Sequence, residues 1–148
     1  MTIIACSRYE MLADTSLTDE SADRRVGHVQ KIYKCKDGSI AGAAGGSVAG
    51  LAFLKWAKAG RKGKFPEAAV AKDETFEGLV LTAKGEILAF GGPDPEIIMD
   101  DTFAIGSGAG YAQAALFVGA TLQRAVEAAI HASPKCGGKI TRIALDNA

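Results

Sequence analysis

Short apolar runs separated by turn-forming residues dominate the first third of the chain, and this pattern predicts two β-hairpins. The first turns at Arg8-Tyr9, where neither glycine nor asparagine is present, and the second turns at Lys36-Asp37-Gly38, a strong turn sequence. Between the hairpins, residues 15–27 are polar and charged, which predicts a surface loop. The four segments expected as strands are residues 2–7, 11–13, 29–35 and 39–44.

After residue 46 the apolar residues change to helical spacing. Val48, Leu51 and Leu54 predict a helix that begins at an N-cap, Ser47, and ends near Gly60. Because hairpins and helices occupy separate blocks of the chain, we expect an α+β fold of antiparallel sheets with helices outside. The remaining expected elements are a helical turn after Pro66, a hairpin of residues 76–82 and 86–90, a strand at 101–105, helices at 111–117 and 121–132, and a closing strand at 137–145.

Composition and charge narrow the class of protein. The 148 residues are 48% hydrophobic, so residues 1–148 are expected to form a single domain with a substantial core. Lysine plus arginine (17) equal aspartate plus glutamate (17), which gives no bulk attraction to nucleic acid or to an anionic membrane.

The cysteines and the chain start favour a reducing compartment. Three cysteines without CxxC spacing argue against a disulfide framework and a zinc site, and Cys6 is expected to be a buried apolar side chain. The first residues lack the basic region of a signal peptide, and no apolar run is long enough to span a membrane. We therefore expect a cytoplasmic protein without a metal or cofactor.

A glycine-rich segment, Gly106-Ser107-Gly108-Ala109-Gly110, lies between a predicted strand and a predicted helix. A dinucleotide-binding loop has this setting, but Tyr111 stands where such a loop requires its third glycine, and no parallel-sheet repeat surrounds it. The segment therefore predicts a tight turn in which two backbones approach closely.

Five features together suggest nucleophilic catalysis. If Met1 is removed, Thr2 presents a hydroxyl beside a free α-amine, which is a suitable base for activating it. Lys31 oriented by Asp14 would stabilise the alkoxide, and a glycine N–H in the bend at 42–46 would bind the oxyanion. Taken singly, each residue has an ordinary structural explanation, such as a snorkelling lysine or a turn aspartate. Only the combination, completed by Ser107, carries weight.

The chain resembles the HslV-type peptidases and the proteasome β-subunits, which are N-terminal-nucleophile hydrolases. The resemblance covers most of the chain, although this chain is shorter than family members. It rests on Met1-Thr2-Ile3-Ile4, on Val29-Gln30-Lys31-Ile32, on Ile40-Ala41-Gly42-Ala43-Ala44-Gly45-Gly46, on the segment from Phe103 to Ala115, and on Cys136-Gly137-Gly138-Lys139-Ile140.

The resemblance implies a four-layer αββα sandwich of two antiparallel sheets that cleaves peptide bonds as a ring-forming homo-oligomer. The implied substrate is a peptide or an unfolded protein, and an ATPase unfoldase is a further implied partner. The implied roles are nucleophile for Thr2, lysine-orienting acid for Asp14, catalytic lysine for Lys31, oxyanion donor for Gly42, neighbour of the amine for Ser107, and substrate-pocket lining for Val29, Tyr33, Ile40 and Ala44.

One departure from the family leaves two alignments open. Family members often read Thr-Thr-Ile after the initiator methionine, whereas this chain reads Met1-Thr2-Ile3, so either Met1 or Thr2 takes the nucleophile position. The parity of the first hairpin favours Thr2, because a shortening by an even number of residues keeps every side chain on its face. The alternatives are an inactive shell subunit that retains Met1 and an amidase acting on a small molecule. Ser133 and Cys136 also replace an Asp and a Ser that proteasome subunits carry near the amine.

Overall fold

The computed structural model describes residues 2–19, 21, 24–70, 75–134 and 136–146. No helix within these ranges combines the length and the apolar character that crossing a bilayer requires. The elements are β1 (Ile4–Ser7), β2 (Glu10–Ala13), β3 (Ser16–Asp19), β4 (Arg24–His28), β5 (Ile32–Lys34), β6 (Ile40–Gly45), α1 (Ser47–Lys58), a 3-10 helix (Glu67–Val70), β7 (Phe76–Leu81), β8 (Ile87–Phe90), β9 (Glu96–Ile98), β10 (Thr102–Ile105), α2 (Ala109–Phe117), α3 (Leu122–Ala132) and β11 (Thr141–Ala144).

Two antiparallel sheets form the centre of the molecule. The first has the strand order β10-β1-β2-β11, and the second has the order β5-β6-β7-β8-β9. Helix α1 packs on the outer face of the five-stranded sheet, and α2 and α3 pack on the outer face of the four-stranded sheet. The expected four-layer αββα sandwich is therefore confirmed.

The alternation of side chains along β1 shows how the sequence builds these layers. Ile4 and Cys6 point into the core between the two sheets, while Ile3 and Ala5 point toward α2 and α3. All four are fully buried. A strand that is apolar on both faces is typical of a central layer, and this pattern ties the amino-terminal strand into the core.

The first hairpin turns at Arg8-Tyr9, as predicted, despite its weak turn sequence. The Ser7 hydroxyl accepts hydrogen bonds from the backbone N–H groups of Tyr9 at 3.1 Å and Glu10 at 3.3 Å. A side-chain oxygen thus stabilises a turn that has neither glycine nor asparagine.

Several expectations for local structure are wrong. The expected loop at residues 15–27 is wrong, because β3 and β4 occupy residues 16–19 and 24–28 and pair with each other in a separate two-stranded ribbon. Leu17 and Val26 on this ribbon are exposed, and without a buried face the sequence shows no alternation that would predict strands. The N-cap of α1 is Gly46, one residue before the expected Ser47, and Lys31 precedes β5. Strand β9 was not expected.

Candidate active site

Thr2 lies just before β1 and is held by the glycine-rich turn that follows β10. Its backbone N–H donates to the Ser107 hydroxyl at 3.3 Å, and its carbonyl accepts from the Gly108 N–H at 3.1 Å. Gly106 has φ +95°, and a Cβ at this position would lie 2.2 Å from the Thr2 carbonyl oxygen. The turn therefore requires glycine, and the predicted close approach of two backbones is confirmed.

A buried ion pair joins the end of β2 to the residue before β5. Lys31 Nζ donates to Asp14 Oδ1 at 2.8 Å, with the Asp14 side chain fully buried and the Lys31 side chain 8% exposed. The same oxygen accepts from the backbone N–H of Ile3 at 3.1 Å. Asp14 Oδ2 accepts from Gly137 N at 3.0 Å. One carboxylate thus connects the lysine, the residue after Thr2 and the segment before β11.

These three donors make it feasible to bury a charged aspartate. Removing a carboxylate from water costs several kcal/mol unless its lone pairs are satisfied, and donors on both oxygens of Asp14 meet that requirement. Loss of one charged partner would leave the other buried and uncompensated, at a cost of about 3–5 kcal/mol. The position of the lysine side chain is therefore strongly determined.

Thr2 and Lys31 open onto one cleft of about 610 Å³. The cleft lies where β3 and the end of β6 meet the first turns of α1. Its lining combines polar residues, Thr2 and Lys31 among them, with aliphatic side chains such as Leu17, Leu51 and Leu54. The lining residues are Thr2, Ser16, Leu17, Thr18, Val29, Gln30, Lys31, Ala43, Ala44, Gly45, Gly46, Gly50, Leu51 and Leu54.

Only two of the four residues expected in the substrate pocket line the cleft. Val29 and Ala44 line the cleft. Tyr33 packs toward α1, where its ring lies 4.3 Å from Lys58 Nζ, and Ile40 is fully buried in the core between the sheets. Neither Tyr33 nor Ile40 lies along the cleft wall.

Gly42 lies inside the sheet, and its N–H points away from the cleft. Gly46 N donates to Thr75 O at 2.7 Å, which marks a hydrogen-bonded pair between the two chain segments. Gly42 is four residues earlier in the same register, opposite Leu79. Because hydrogen-bonded pairs recur at every second residue of an antiparallel ladder, the Gly42 N–H points toward β7.

The opposite edge of β6 faces the cleft. Pairing with β5 ends at Ile32, opposite Gly42. By the same alternation, the N–H groups of Ala43 and Gly45 point toward the β5 side, and both residues line the cleft. The amides at this open edge thus belong to residues one and three positions after Gly42.

Sequence reasoning missed three further contributors. Gly137 orients Asp14 through its N–H, Ser16 is a buried residue of the cleft lining, and Gly45 offers an amide at the open edge of β6. A count of register from the Lys36-Asp37-Gly38 turn would have pointed to odd-numbered amides in β6. Nothing in the sequence signals the Gly137 contact, which spans 123 positions.

Other nucleophiles and ligands were also considered. Burial raises the pKa of the Cys6 thiol to about 12, so this thiol is a poor nucleophile, in agreement with its expected packing role. Within the described residues, no group of three or more histidine, cysteine, aspartate or glutamate side chains is arranged to hold a metal ion. Cys136 and Ser133 are both buried, and Met1 lies outside the described residues.

Comparison with known proteins supports the architecture. No protein-family model matches the chain, and no curated protein matches its sequence. Among solved structures, eukaryotic HslV from Trypanosoma brucei aligns with a TM-score of 0.75 at 19% sequence identity, covering 97% of this chain and 99% of that chain. The similarity extends over nearly the full length of both chains, and this protein has the HslV fold.

Proposed function

We propose that this protein is an N-terminal threonine peptidase that cleaves peptide bonds with Thr2 as the nucleophile after removal of Met1. One observation carries the proposal: Asp14 holds both the Lys31 ammonium and the N–H next to Thr2, and Thr2 and Lys31 both line the same cleft. Thr2 and a lysine with a fixed position therefore share one cleft, which supports a role for the Lys31 charge in activating the Thr2 hydroxyl.

The chemistry follows from these groups. The α-amine of Thr2, freed when Met1 is cleaved, takes the hydroxyl proton as Oγ attacks the substrate carbonyl. The ammonium of Lys31 stabilises the developing alkoxide, and the Asp14 carboxylate fixes the position of that ammonium. The protonated amine then gives its proton to the departing substrate amine. Water hydrolyses the resulting ester and regenerates Thr2.

The surroundings of Thr2 support the two remaining requirements. Ser107 accepts a hydrogen bond from Thr2 N, so its hydroxyl is placed to orient the freed amine. We assign the oxyanion site to the open edge of β6 at Ala43 and Gly45, in place of Gly42, because these N–H groups point toward the cleft. The aliphatic lining of the cleft favours apolar substrate side chains.

The fold similarity extends the proposal to assembly and partners. We propose that copies of the chain form a closed ring whose clefts act on peptides or unfolded proteins, with an ATPase unfoldase as a delivery partner in the cytoplasm. Light scattering coupled to size-exclusion chromatography tests the ring directly. A monomer at micromolar concentration would contradict that part of the proposal without affecting the chemistry of Thr2.

The catalytic assignment is tested by intact mass together with hydrolysis of a short fluorogenic peptide. We expect the purified protein to lack one methionine, a loss of about 131 Da. We expect Thr2→Ala and Lys31→Met to lower kcat/KM at least about a hundredfold. Lys34→Ala is the matched control, because Lys34 lies three residues from Lys31 but forms an exposed pair with Asp146.

Thermal unfolding of each variant separates loss of chemistry from loss of fold. Equal rates for the wild type, Thr2→Ala and Lys31→Met would disprove the assignment. Retention of Met1, together with no labelling by a threonine-directed electrophile, would instead indicate an inactive shell subunit.

A further inference from the structure

A second cavity, of about 460 Å³, lies beside the cleft that contains Thr2 and Lys31. Val29 and Gln30 line both spaces, so the cavity and the cleft meet along this short segment. The Val29 N–H donates to the Thr15 carbonyl at 2.8 Å, which fixes the shared segment against the residue before β3. A peptide chain that extends beyond the cleft along Val29 and Gln30 reaches the second cavity.

His28, the last residue of β4, lines this cavity, and its imidazole packs on the backbone of Gly138. A Cβ added to Gly138 would lie 2.6 Å from His28 Cδ2 and 3.0 Å from His28 Nε2. Glycine at position 138, where φ is +75°, therefore both permits the backbone turn and leaves room for the ring. The imidazole has a defined place, yet it makes no hydrogen bond or ion pair within the described residues.

Lys139 lies on the cavity side of the segment that leads into β11. Ile140 packs toward α3, whereas Thr141 lines the cavity and Ile143 packs against the core between the sheets. Because side chains alternate along an extended segment, Lys139 projects to the same side as Thr141. Lys139 also lines the cavity, is exposed, and has no ion-pair partner in the part of the chain that the structure describes.

The chemistry of the lining favours a negatively charged ligand. The threonine hydroxyls already donate to carbonyl groups, Thr15 to Lys139 at 2.8 Å and Thr141 to Ala13 at 3.4 Å. None of the described lining residues carries a carboxylate that could neutralise the lysine. An ammonium and an imidazole N–H beside each other form charge-assisted hydrogen bonds to a carboxylate, which are stronger than bonds between neutral groups.

We propose that the cavity at His28 and Lys139 is a substrate subsite for a carboxylate of the bound peptide, either an acidic side chain or a free carboxyl terminus. This inference rests on the proposed peptidase function. Lys139 supplies the positive charge, and His28, packed on Gly138, supplies a directed hydrogen bond. Both residues lie outside the cleft that holds Thr2, so their loss affects KM rather than kcat.

The test measures binding of dye-labelled hexapeptides of alanine and leucine to the full-length Thr2→Ala protein by fluorescence anisotropy. In the first series the peptides are end-capped, and glutamate at each position in turn is compared with glutamine at the same position. In the second series a free-acid peptide is compared with its carboxyl-terminal amide. We expect the carboxylate to tighten binding about three- to fivefold in one of the series, and to lose this advantage in high salt.

Variants of the two residues assign the advantage to the cavity. Lys139→Gln is expected to abolish it, and Lys139→Glu is expected to reverse it, so that a cationic peptide binds more tightly. His28→Ala is expected to weaken binding of the carboxylate peptide more than that of its neutral counterpart. Lys62→Glu is the matched control, because Lys62 is exposed and is not a lining residue of the cavity or of the cleft.

Three results would overturn the inference: no carboxylate advantage in either series, an advantage that survives Lys139→Gln, or an equal loss in Lys62→Glu. The series that shows the advantage identifies the source of the carboxylate. Hydrolysis of the same peptides by the wild type is measured in parallel. Hydrolysis without a charge preference removes only the subsite, whereas a Lys139-dependent preference without any hydrolysis removes only the peptidase.

Discussion

The two outer helical layers of this sandwich are built from different side chains. On one side, Phe53 of α1 lies at the centre of an aromatic cluster, with ring centroids 5.2 Å from Phe90 and 5.3 Å from Phe76. On the other side, α2 and α3 meet the four-stranded sheet through small residues such as Ala112, Ala125 and Ala129.

The difference in side-chain size has a functional consequence. Large rings fill the space between α1 and its sheet, and none of these rings is among the residues that line the cleft with Thr2. Small side chains let the helices and the turn before α2 approach the sheet closely. In this layer the Gly106–Gly108 turn contacts the backbone of Thr2. The aromatic rings beneath α1 therefore mainly stabilise the fold, although Leu51 and Leu54 of the same helix line the cleft, whereas the turn before α2 positions Thr2.

The largest expected effect on stability comes from Phe53→Ala. The side chain is fully buried among four other aromatic rings, so truncation should cost about 3–5 kcal/mol of unfolding free energy. Urea unfolding followed by circular dichroism measures the loss. The peptidase rate per folded molecule should remain close to that of the wild type.

Phe117→Ala is the control for this change. Phe117 is 91% exposed at the end of α2, so the same substitution should alter the unfolding free energy by less than about 0.5 kcal/mol. Similar losses for both variants would show that the aromatic cluster contributes nothing special. A collapse of activity in folded Phe53→Ala would show that the two layers are not separable.

Gly106→Ala tests whether the turn before α2 positions Thr2, and its expected effect on stability is intermediate. A methyl group at this site would collide with the Thr2 carbonyl, so we expect both the unfolding free energy and the peptidase rate to fall. Gly119→Ala is a matched control. Gly119 has φ +97°, close to that of Gly106, but nothing lies within 4 Å of the added Cβ.

The shared backbone strain should cost both variants about 1–2 kcal/mol. Only Gly106→Ala should lose more than this and lose activity as well. The comparison uses urea unfolding and the fluorogenic peptide assay on the same preparations. Equal stability and equal rates for the two variants would disprove a specific contact with Thr2.

The smallest effect concerns Asp37, in the turn beside the end of α1. Burial opposes the charged form of Asp37, but hydrogen bonds from Ser39 and the nearby Arg61 charge outweigh it and lower the pKa of this carboxyl below its ordinary value. A lowered pKa in the folded state stabilises the protein above the ordinary pKa of aspartate. This contribution is lost as the pH falls through the folded-state pKa.

Thermal unfolding of the wild type and Asp37→Asn between pH 7 and pH 2 measures this contribution. We expect the wild type to have a small advantage near neutral pH, which disappears in acid. An advantage that grows as the pH falls would contradict the sign. Because the pair with Arg61 is partly exposed and 3.7 Å long, the difference should be much smaller than that for Phe53→Ala.

Local patterns in the sequence determined most of the fold. Alternation along residues 2–7, helical spacing after residue 46 and strong turns such as Lys36-Asp37-Gly38 act over a few residues, so they can be recognised without knowing what packs against them. The ribbon at residues 16–28 was missed because its pairing is formed by backbone hydrogen bonds, without a buried face to leave a pattern.

The candidate site also combines residues that the sequence indicates with contacts that only the tertiary structure shows. Residue type and order were enough to select Thr2, Asp14, Lys31 and Ser107 as a hypothesis. Only the tertiary structure decided that Gly137 donates to Asp14, that the Gly42 N–H points toward β7 and that the Ser16 hydroxyl has no partner within the described part of the chain. Each of these depends on register or on contacts between distant segments, and neither is encoded in any short stretch of sequence.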